Sequence, residues 1–496
     1  MYQSTRDSAI RKTAAQAILQ GISAEGGLFV PDMIPKLTEE DFRALRERDY
    51  VGRARLILSK FLTDFSAEQI DAVTKKAYTA EKFETAEIAP LQPLGGNTHI
   101  LELWHGPTSA FKDMALQILP HLMTASMEIT ESDQTIVILV ATSGDTGKAA
   151  LEGFKDVDRT KILVFYPENG VSAMQKRQMN TQEGRNVAVC AIEGNFDDAQ
   201  TGVKGIFLNP ELNRRLTEKK MQFSSANSIN WGRLLPQIVY YVSAYCDLGL
   251  EGEPVNFVVP TGNFGNILAA YYAKKMGLPV GKLICASNSN SILTDFIRTG
   301  VYDRNREFYT TMSPSMDILI SSNLERLIYD MTGCDDKKVA GWMKELSETG
   351  RYEVDDGVKA QLKELFYGGY CDEEGTLRTI RETFRTEKYL LDTHTAVAVH
   401  VGAAYREETG DQSPAILAST ASPYKFADSV LRALDPEYSA RWEKNPDDFA
   451  KIRALSEKTG TMIPAPIASL TEKTTRFDQS CTLDAMQDRV FSMLDL

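Results

Sequence analysis

The sequence predicts an α/β protein built on open, mostly parallel sheets flanked by helices, and three observations predict it. Short β-branched runs alternate with helical patterns from about residue 98 onward, the signature of a parallel sheet with helices on its faces. Two of these runs pass through a Gly-containing loop straight into a helical pattern, at 135–154 and at 256–277. Residues 1 to about 90, by contrast, are mostly helical in pattern, and so are residues about 300 to 390. The second of these stretches is charged and poor in β-branched runs, which marks it as an inserted or appended helical region.

In chain order, SAEGGLFVP (23–31) reads as a Gly-rich turn, and Thr38 and Ser66 read as N-caps of amphipathic helices because their hydroxyls can accept orphan backbone N–H groups. TIVILVA (135–141) is an apolar strand that ends in TSGDTG and enters a helix at AALEGF. KILVFYP (161–167) and VAVCAIEG (187–194) supply the next strands, and a helix follows Asn195. NFVVPTGNFGNILAAYYAKKMG (256–277) repeats the strand, Gly-loop, helix arrangement. KLICASN (282–288) and PAILAST (414–420) are two further strands, the second reached through the helix at 394–408. No internal repeat or low-complexity tract interrupts the pattern. The expected division is an N-terminal region at 1–95 and a larger region at 96–496. The latter comprises a smaller α/β subdomain at about 130–225 and a larger one carrying the 300–390 insertion.

Composition narrows the function classes. The 496 residues hold 55 Lys and Arg against 68 Asp and Glu, a formal charge of −13 whose long-range field disfavours nucleic acid and anionic membrane as partners. Six cysteines, Cys190, Cys246, Cys285, Cys334, Cys371 and Cys481, form no CxxC pair and read as buried thiols of a reducing compartment. The first residues are charged throughout, unlike a signal peptide, and no stretch reaches the roughly 18 uncharged residues of a membrane span, so the expected location is cytoplasmic. His99, His105, His121, His394 and His400 show no ligand spacing, which leaves no expected metal. Ser143 and Ser172 lack the GxSxG surroundings of an acyl-transfer nucleophile.

What remains is lysine chemistry beside a bound anion. In HGPTSAFKDMALQ (105–117), Gly106 and Pro107 make a turn and Lys112 follows the large apolar Phe111 just before a helical pattern. A lysine held in an apolar pocket loses its proton more readily and can attack a carbonyl, although an arbitrary lysine at a helix start is more often solvated. TGNFGN (261–266) lies between strand and helix, where backbone N–H groups and a helix N-terminus form a cradle for phosphate. TSGDTGK (142–148) only superficially resembles a nucleotide-binding loop, because Thr142 stands where the first glycine is needed and Ala149 where the metal-binding hydroxyl is needed. Two such loops at carboxyl ends of strands favour a ligand crevice. SSANSINWGR (224–233) offers hydroxyls, amides and a guanidinium, with a capped helix start as the alternative reading, and LASTASPYKF (417–426) puts Ser419 and Thr420 at a strand end, where Thr420 could equally be a core threonine.

HGPTSAFKDMALQ resembles the pyridoxal-phosphate lysine motif of the threonine synthase family. The resemblance continues through STRD (4–7), AEGGLFVP, ATSGDTGKAA, EGNFDDAQ, NSINWGR, VPTGNFGN, SPSMDILISSNLER, DTHTAVAVH and ILASTASPYKF, in the family's order from residue 4 to about 426. It is closest to the long-chain branch. The resemblance implies a tryptophan-synthase β-like fold (fold type II), pyridoxal 5'-phosphate as cofactor, and conversion of O-phospho-L-homoserine and water to L-threonine and phosphate. Lys112 matches the lysine that forms the Schiff base and serves as general base. Gly262, Asn263, Phe264, Gly265 and Asn266 match the loop holding the cofactor phosphate, and Thr420 matches the residue facing the pyridine nitrogen.

Ser143, Gly144, Asp145 and Thr146 would lie against the substrate carboxylate or the cofactor ring. Many relatives of the wider fold carry Asn where Asp145 stands, so the role of that amide is not transferred to it. Asn227, Ser228, Asn230 and Arg233 are the candidates for the substrate phosphate, with Lys148 behind them. A monomer or homodimer is expected. The competing readings are another fold-type-II enzyme, such as a serine or threonine dehydratase or a cysteine synthase, which needs no second phosphate site, and a catalytically silent homologue that binds the cofactor.

Overall fold

The computed structural model describes residues 1–142, 144–169 and 171–496. The C-terminal ends of two sheets converge on the residues singled out above. The larger sheet has six strands in the order Phe366–Tyr370, Val280–Ser287, Val255–Pro260, Ala415–Ser419, Thr98–Glu102 and Leu91–Gly95, all parallel except the last pair. The smaller has five parallel strands in the order Ser480–Cys481, Val187–Ile192, Thr160–Pro167, Thr135–Ala141 and Met221–Ser224. The central strands are continuous apolar runs because helices cover both of their faces, so neither face can stay polar. No helix among the described residues is long and apolar enough to cross a membrane.

Several sequence expectations are corrected at this level. The N-terminal stretch is not wholly helical: Tyr2–Ser4 pairs antiparallel with both Arg11–Lys12 and Phe29–Pro31. Nor is 300–390 wholly helical. FYGGY at 366–370 is the edge strand of the larger sheet, and Val301–Asp303 pairs with Arg351–Glu353. Gly368 and Gly369 hide that strand from a propensity reading, yet a side chain at either would collide with Thr294 or Val401, so close packing requires the glycines. The chain also returns at its end to the smaller sheet through Ser480–Cys481. Among the cysteines, Cys334 is exposed and Cys246 half-buried, which corrects their reading as uniformly buried.

Thr38 and Ser66 do cap their helices, each hydroxyl accepting the N–H three residues on. The helix Trp231–Asp247 is buried along nearly its whole length, and its Trp231 ring lies 5.5 Å from Tyr2, 5.7 Å from Phe61 and 5.6 Å from Tyr272. These edge and tilted contacts join the N-terminal body to the larger sheet, and aromatic pairs of this kind contribute about 1 kcal/mol each beyond burial.

Candidate active site

Lys112 sits on a loop stitched to the end of the strand Ala415–Ser419. Phe111 N–H donates to the Thr420 carbonyl at 2.8 Å, Ser422 N–H donates to the Ser109 carbonyl at 3.1 Å, and Ala110 bridges to Ala421. Asp113 tightens the loop from inside by accepting from the Thr108 N–H and hydroxyl, both at 2.8 Å. Gly106 makes room for this, since a side chain there would meet Asp113 at 2.6 Å. Burial pushes the Asp113 carboxyl up to about 6 against those two hydrogen bonds. The Lys112 side chain is only 10% exposed, and its Nζ lies 3.4 Å from Ser315 Oγ and 3.9 Å from Asp145 Oδ2. Burial is the main cause that brings its amine down to about 8; Asp145 opposes the fall, and Lys425 and Arg233 add to it.

The loop after Val255–Pro260 runs directly into a helix start. Phe264 adopts φ +65° and leads into the helix Gly265–Met276 with no side-chain cap. The N–H groups of Gly262, Asn263, Phe264, Gly265 and Asn266 have no acceptor among the described residues, whereas the loop's carbonyls are tied back: Gly262 O accepts from Ser321 Oγ at 2.8 Å and Asn263 O from Asn323 N–H at 3.1 Å. The side-chain amides of Asn266 and Asn323 are buried with their Nδ2 atoms unpartnered among the described residues. So many orphan donors at a helix N-terminus fit an anionic group such as a phosphate. At Gly262 a side chain would meet the Ser315 carbonyl at 2.6 Å, so the turn Pro314–Met316 lies directly on the loop.

The other Gly-rich loop differs from expectation. Thr142 Oγ1 accepts from the N–H groups of Gly144 and Gly147 at 3.0 and 2.9 Å, so the Gly144 donor expected to face a ligand is already used. Ser143 lies outside the described residues. Gly144 has φ +134°, a conformation that suits glycine, and turns the chain into the helix Asp145–Phe154. Thr146 is half-buried in its first turn, and Asp145 is buried. Burial alone would raise the Asp145 carboxyl, but Lys425 and Lys112 overcome that and hold it well below the usual carboxylate range.

Of the four candidates for the substrate phosphate, Asn230 is engaged within the protein, which corrects its expected role, and Arg233 is buried beside it. Asn230 caps the helix Trp231–Asp247 through Oδ1, and its Nδ2 donates to Ile18 O and Ser225 O, both at 3.0 Å. Both of its donor hydrogens are thus consumed. Arg233 is 5% exposed, donates from one terminal nitrogen to the Ala226 carbonyl at 2.8 Å and has no carboxylate partner among the described residues. Burial brings its guanidinium down to about 10. Asn227 is exposed and Ser228 half-buried on the turn leading to it. Lys148 is corrected as well: its Nζ is engaged by Glu152 at 2.9 Å and by Gln182.

Four groups escaped the sequence reading. Lys425, Ser315 and Gln175 border Lys112 or Asp145, and His394 holds the Ser315 backbone. Lys425 follows Thr420 in a polar run after a buried strand, a signal that was legible but spent on Thr420 alone. Ser315 and His394 carry no local signal, since only the return of distant segments brings them in.

Three family models match the chain in succession: "Threonine synthase N terminus" at 1–78, "Pyridoxal-phosphate dependent enzyme" at 86–356 and "Threonine synthase, C-terminal" at 395–488. The human protein threonine synthase-like 1 is 42% identical over 438 residues, a match covering 85% of this chain and 58% of that protein's length. Threonine synthase of Pseudomonas aeruginosa is 38% identical over 92% of this chain and 98% of its own. The crystal structure of pyridoxal-phosphate-bound threonine synthase from Brucella melitensis superposes with a TM-score of 0.88 at 36% identity, covering 99% of each chain.

Proposed function

The chain belongs to the threonine synthase family of pyridoxal-phosphate-dependent lyases with the fold-type-II architecture, and we propose that its own reaction is the conversion of O-phospho-L-homoserine and water to L-threonine and inorganic phosphate. The observation that carries this reading is Arg233, a buried guanidinium without a carboxylate partner among the described residues, close enough to Lys112 to depress its amine. Burying an unpaired cation is costly, and a dianionic ligand offsets the cost. A dehydratase or cysteine synthase, which needs only the cradle at 262–266, has no use for it.

Pyridoxal phosphate, when bound, supplies an electron sink that makes the Cα and Cβ protons of an amino acid labile. The five orphan N–H groups of the 262–266 loop would hold its phosphate, and Lys112 would join its aldehyde carbon. An amine near 8 is poised to take a proton at near-neutral pH, so Lys112 serves as general base at Cα and Cβ and returns the proton at Cα. Thr420, held by its carbonyl to Phe111, would face the ring nitrogen with a neutral hydroxyl instead of a carboxylate, and such a partner would make the cofactor a milder electron sink. Arg233, with Ser228 and Asn227 on the adjoining turn, receives the substrate phosphate; Asp145, Thr146 and the backbone at Gly144 border the substrate's amino-acid end.

The test is an assay for phosphate release and threonine formation from O-phosphohomoserine, with O-phosphoserine and serine as controls. Equimolar threonine and phosphate are expected. Turnover of the controls alone would replace this reading with a dehydratase, and cofactor binding without any turnover would make the chain a silent homologue.

A further inference from the structure

Lys425 takes no step in the reaction above, yet its ammonium group is fully buried among the residues that do. It lies in the 3-10 turn Pro423–Phe426, which follows the strand that ends at Ser419, just before Thr420. Its Nζ bonds Asp145 Oδ1 at 2.7 Å and donates to the Thr108 carbonyl at 3.0 Å. Gln175 Nε2 donates to the same Asp145 oxygen at 3.0 Å. The opposite oxygen of that carboxylate is the one 3.9 Å from Lys112 Nζ. Two ammonium groups therefore share one carboxylate unequally, Lys425 in full contact and Lys112 just outside it.

The unequal sharing has a physical purpose. A buried lysine left alone with a carboxylate at about 4 Å is held protonated by it, because the attraction is strong where water is scarce. A protonated, ion-paired lysine is neither a nucleophile nor a base. Placing a second, fixed ammonium on the far oxygen offsets most of the carboxylate's charge and also prevents it from swinging. The charged groups facing Lys112 are then Asp145 against Lys425 and Arg233, with Asp113 turned inward onto Thr108. We propose that Lys425 is a positioning residue of this site: it pins Asp145 beside Lys112 and offsets its charge, so that the carboxylate orients the Lys112 amine without locking it in an ion pair. The inference rests on Lys112 being the lysine that carries the cofactor.

The test uses the full-length holoenzyme and a pH titration of the absorption band of the bound cofactor. Lys425→Gln keeps a donor for Thr108 but removes the charge, and its midpoint should move up by about one pH unit, since Asp145 then acts on the Lys112 nitrogen alone. Asp145→Asn should move the midpoint down, and Lys425→Arg, which keeps the charge, should stay with the wild type. An unmoved or lowered midpoint in Lys425→Gln would overturn the inference, because a merely structural lysine would lower the melting temperature and leave the titration alone. Should Lys425→Gln fail to fold, the double variant Asp145→Asn/Lys425→Gln, in which neither member of that ion pair is left charged, carries the test: its midpoint should lie above that of Asp145→Asn, and equality overturns the proposal. Borohydride reduction and peptide mapping separate the two possible failures. Label on Lys425 would overturn both the cofactor assignment and this inference, whereas label on Lys112 with unmoved midpoints would overturn the inference alone.

Discussion

His394 Nε2 accepts the backbone N–H of Ser315 at 3.2 Å, and this one bond places a residue from the start of a long helix under the turn that covers Lys112. The imidazole is oriented from behind, its Nδ1 lying 3.0 Å from Asp392 Oδ1, so Nδ1 carries the proton and Nε2 the lone pair. Asp392 in turn accepts from the Thr395 hydroxyl and from the N–H groups that cap that helix. The turn at 314–316 thus has a fixed height above the 262–266 loop, with the Ser315 carbonyl on Gly262 and its hydroxyl at Lys112.

His394→Ala leaves the Ser315 N–H without its acceptor and frees the turn. Loss of the bond costs about 1–3 kcal/mol of stability. Because the turn roofs the cradle, retention of the cofactor in equilibrium dialysis should weaken by about tenfold, the equivalent of 1.4 kcal/mol. A lower melting temperature with unchanged cofactor retention would show that the turn does not bear on the cradle.

Burying Lys112 should be visible as an instability of the cofactor-free chain. Its amine titrates near 8 in the folded state against an ordinary 10.5, so below about pH 8 both states are charged and the folded state carries the full penalty of desolvating the ammonium. As pH rises from 8 to 10.5 the folded protein sheds its proton first, and the penalty disappears. Lys112→Met should therefore stabilise the cofactor-free protein by about 3 kcal/mol at pH 7, with the gain lost by about pH 10.5. Urea midpoints of the two proteins at both pH values check it. The same variant should bind the cofactor only reversibly and turn over no substrate.

Asn230 and Arg233 lie one turn apart and should fail differently. Asn230→Ala removes a cap, a tether to Ile18 of the N-terminal body and a bond to Ser225, costing about 1–2 kcal/mol of stability with KM for phosphohomoserine unchanged. Arg233→Ala should raise that KM by about 10–100-fold, the worth of a hydrogen bond to a charged group, while cofactor retention changes little. Steady-state kinetics with parallel dialysis separate them, and an equal loss of substrate and cofactor binding in Arg233→Ala would misplace the arginine.

Much of this site was legible in the chain because its determinants are local. Phe111 and Lys112 before a helix, TGNFGN after an apolar strand, and Thr420 at a strand end are each set by a few neighbouring residues whose backbone conformation those neighbours dictate. The unpartnered N–H groups at 262–266 belong to one short loop and helix start, so the cradle could be read locally, although Ser321 and Asn323 hold its carbonyls from a distant segment. Asn230 was ambiguous for the same reason: its local role, a helix cap, and a ligand role ask for the same amide, and only the position of Ile18, 212 residues earlier, decides between them.

The sequence by itself determined the fold class and the strand, Gly-loop, helix order at 135–154 and 256–277, since periodicity and turn chemistry act over spans of ten residues or so, while its resemblance to a family is what singled out Lys112 and the 262–266 loop. It also predicted, from a total charge of −13, a molecule that should repel anions. Tertiary structure alone decided how an acidic chain nevertheless builds a cationic site. Lys112 and Lys425, from segments more than three hundred residues apart, meet at the carboxylate of Asp145, and Arg233, from a third segment, lies near enough to act on the Lys112 amine. In a buried site with few water molecules such short-range pairs outweigh the screened field of the surface, so the local sum governs what binds. Glu102, held by His105 at 2.8 Å, and Glu152, held by Lys148, are spent on their own partners and leave that sum intact.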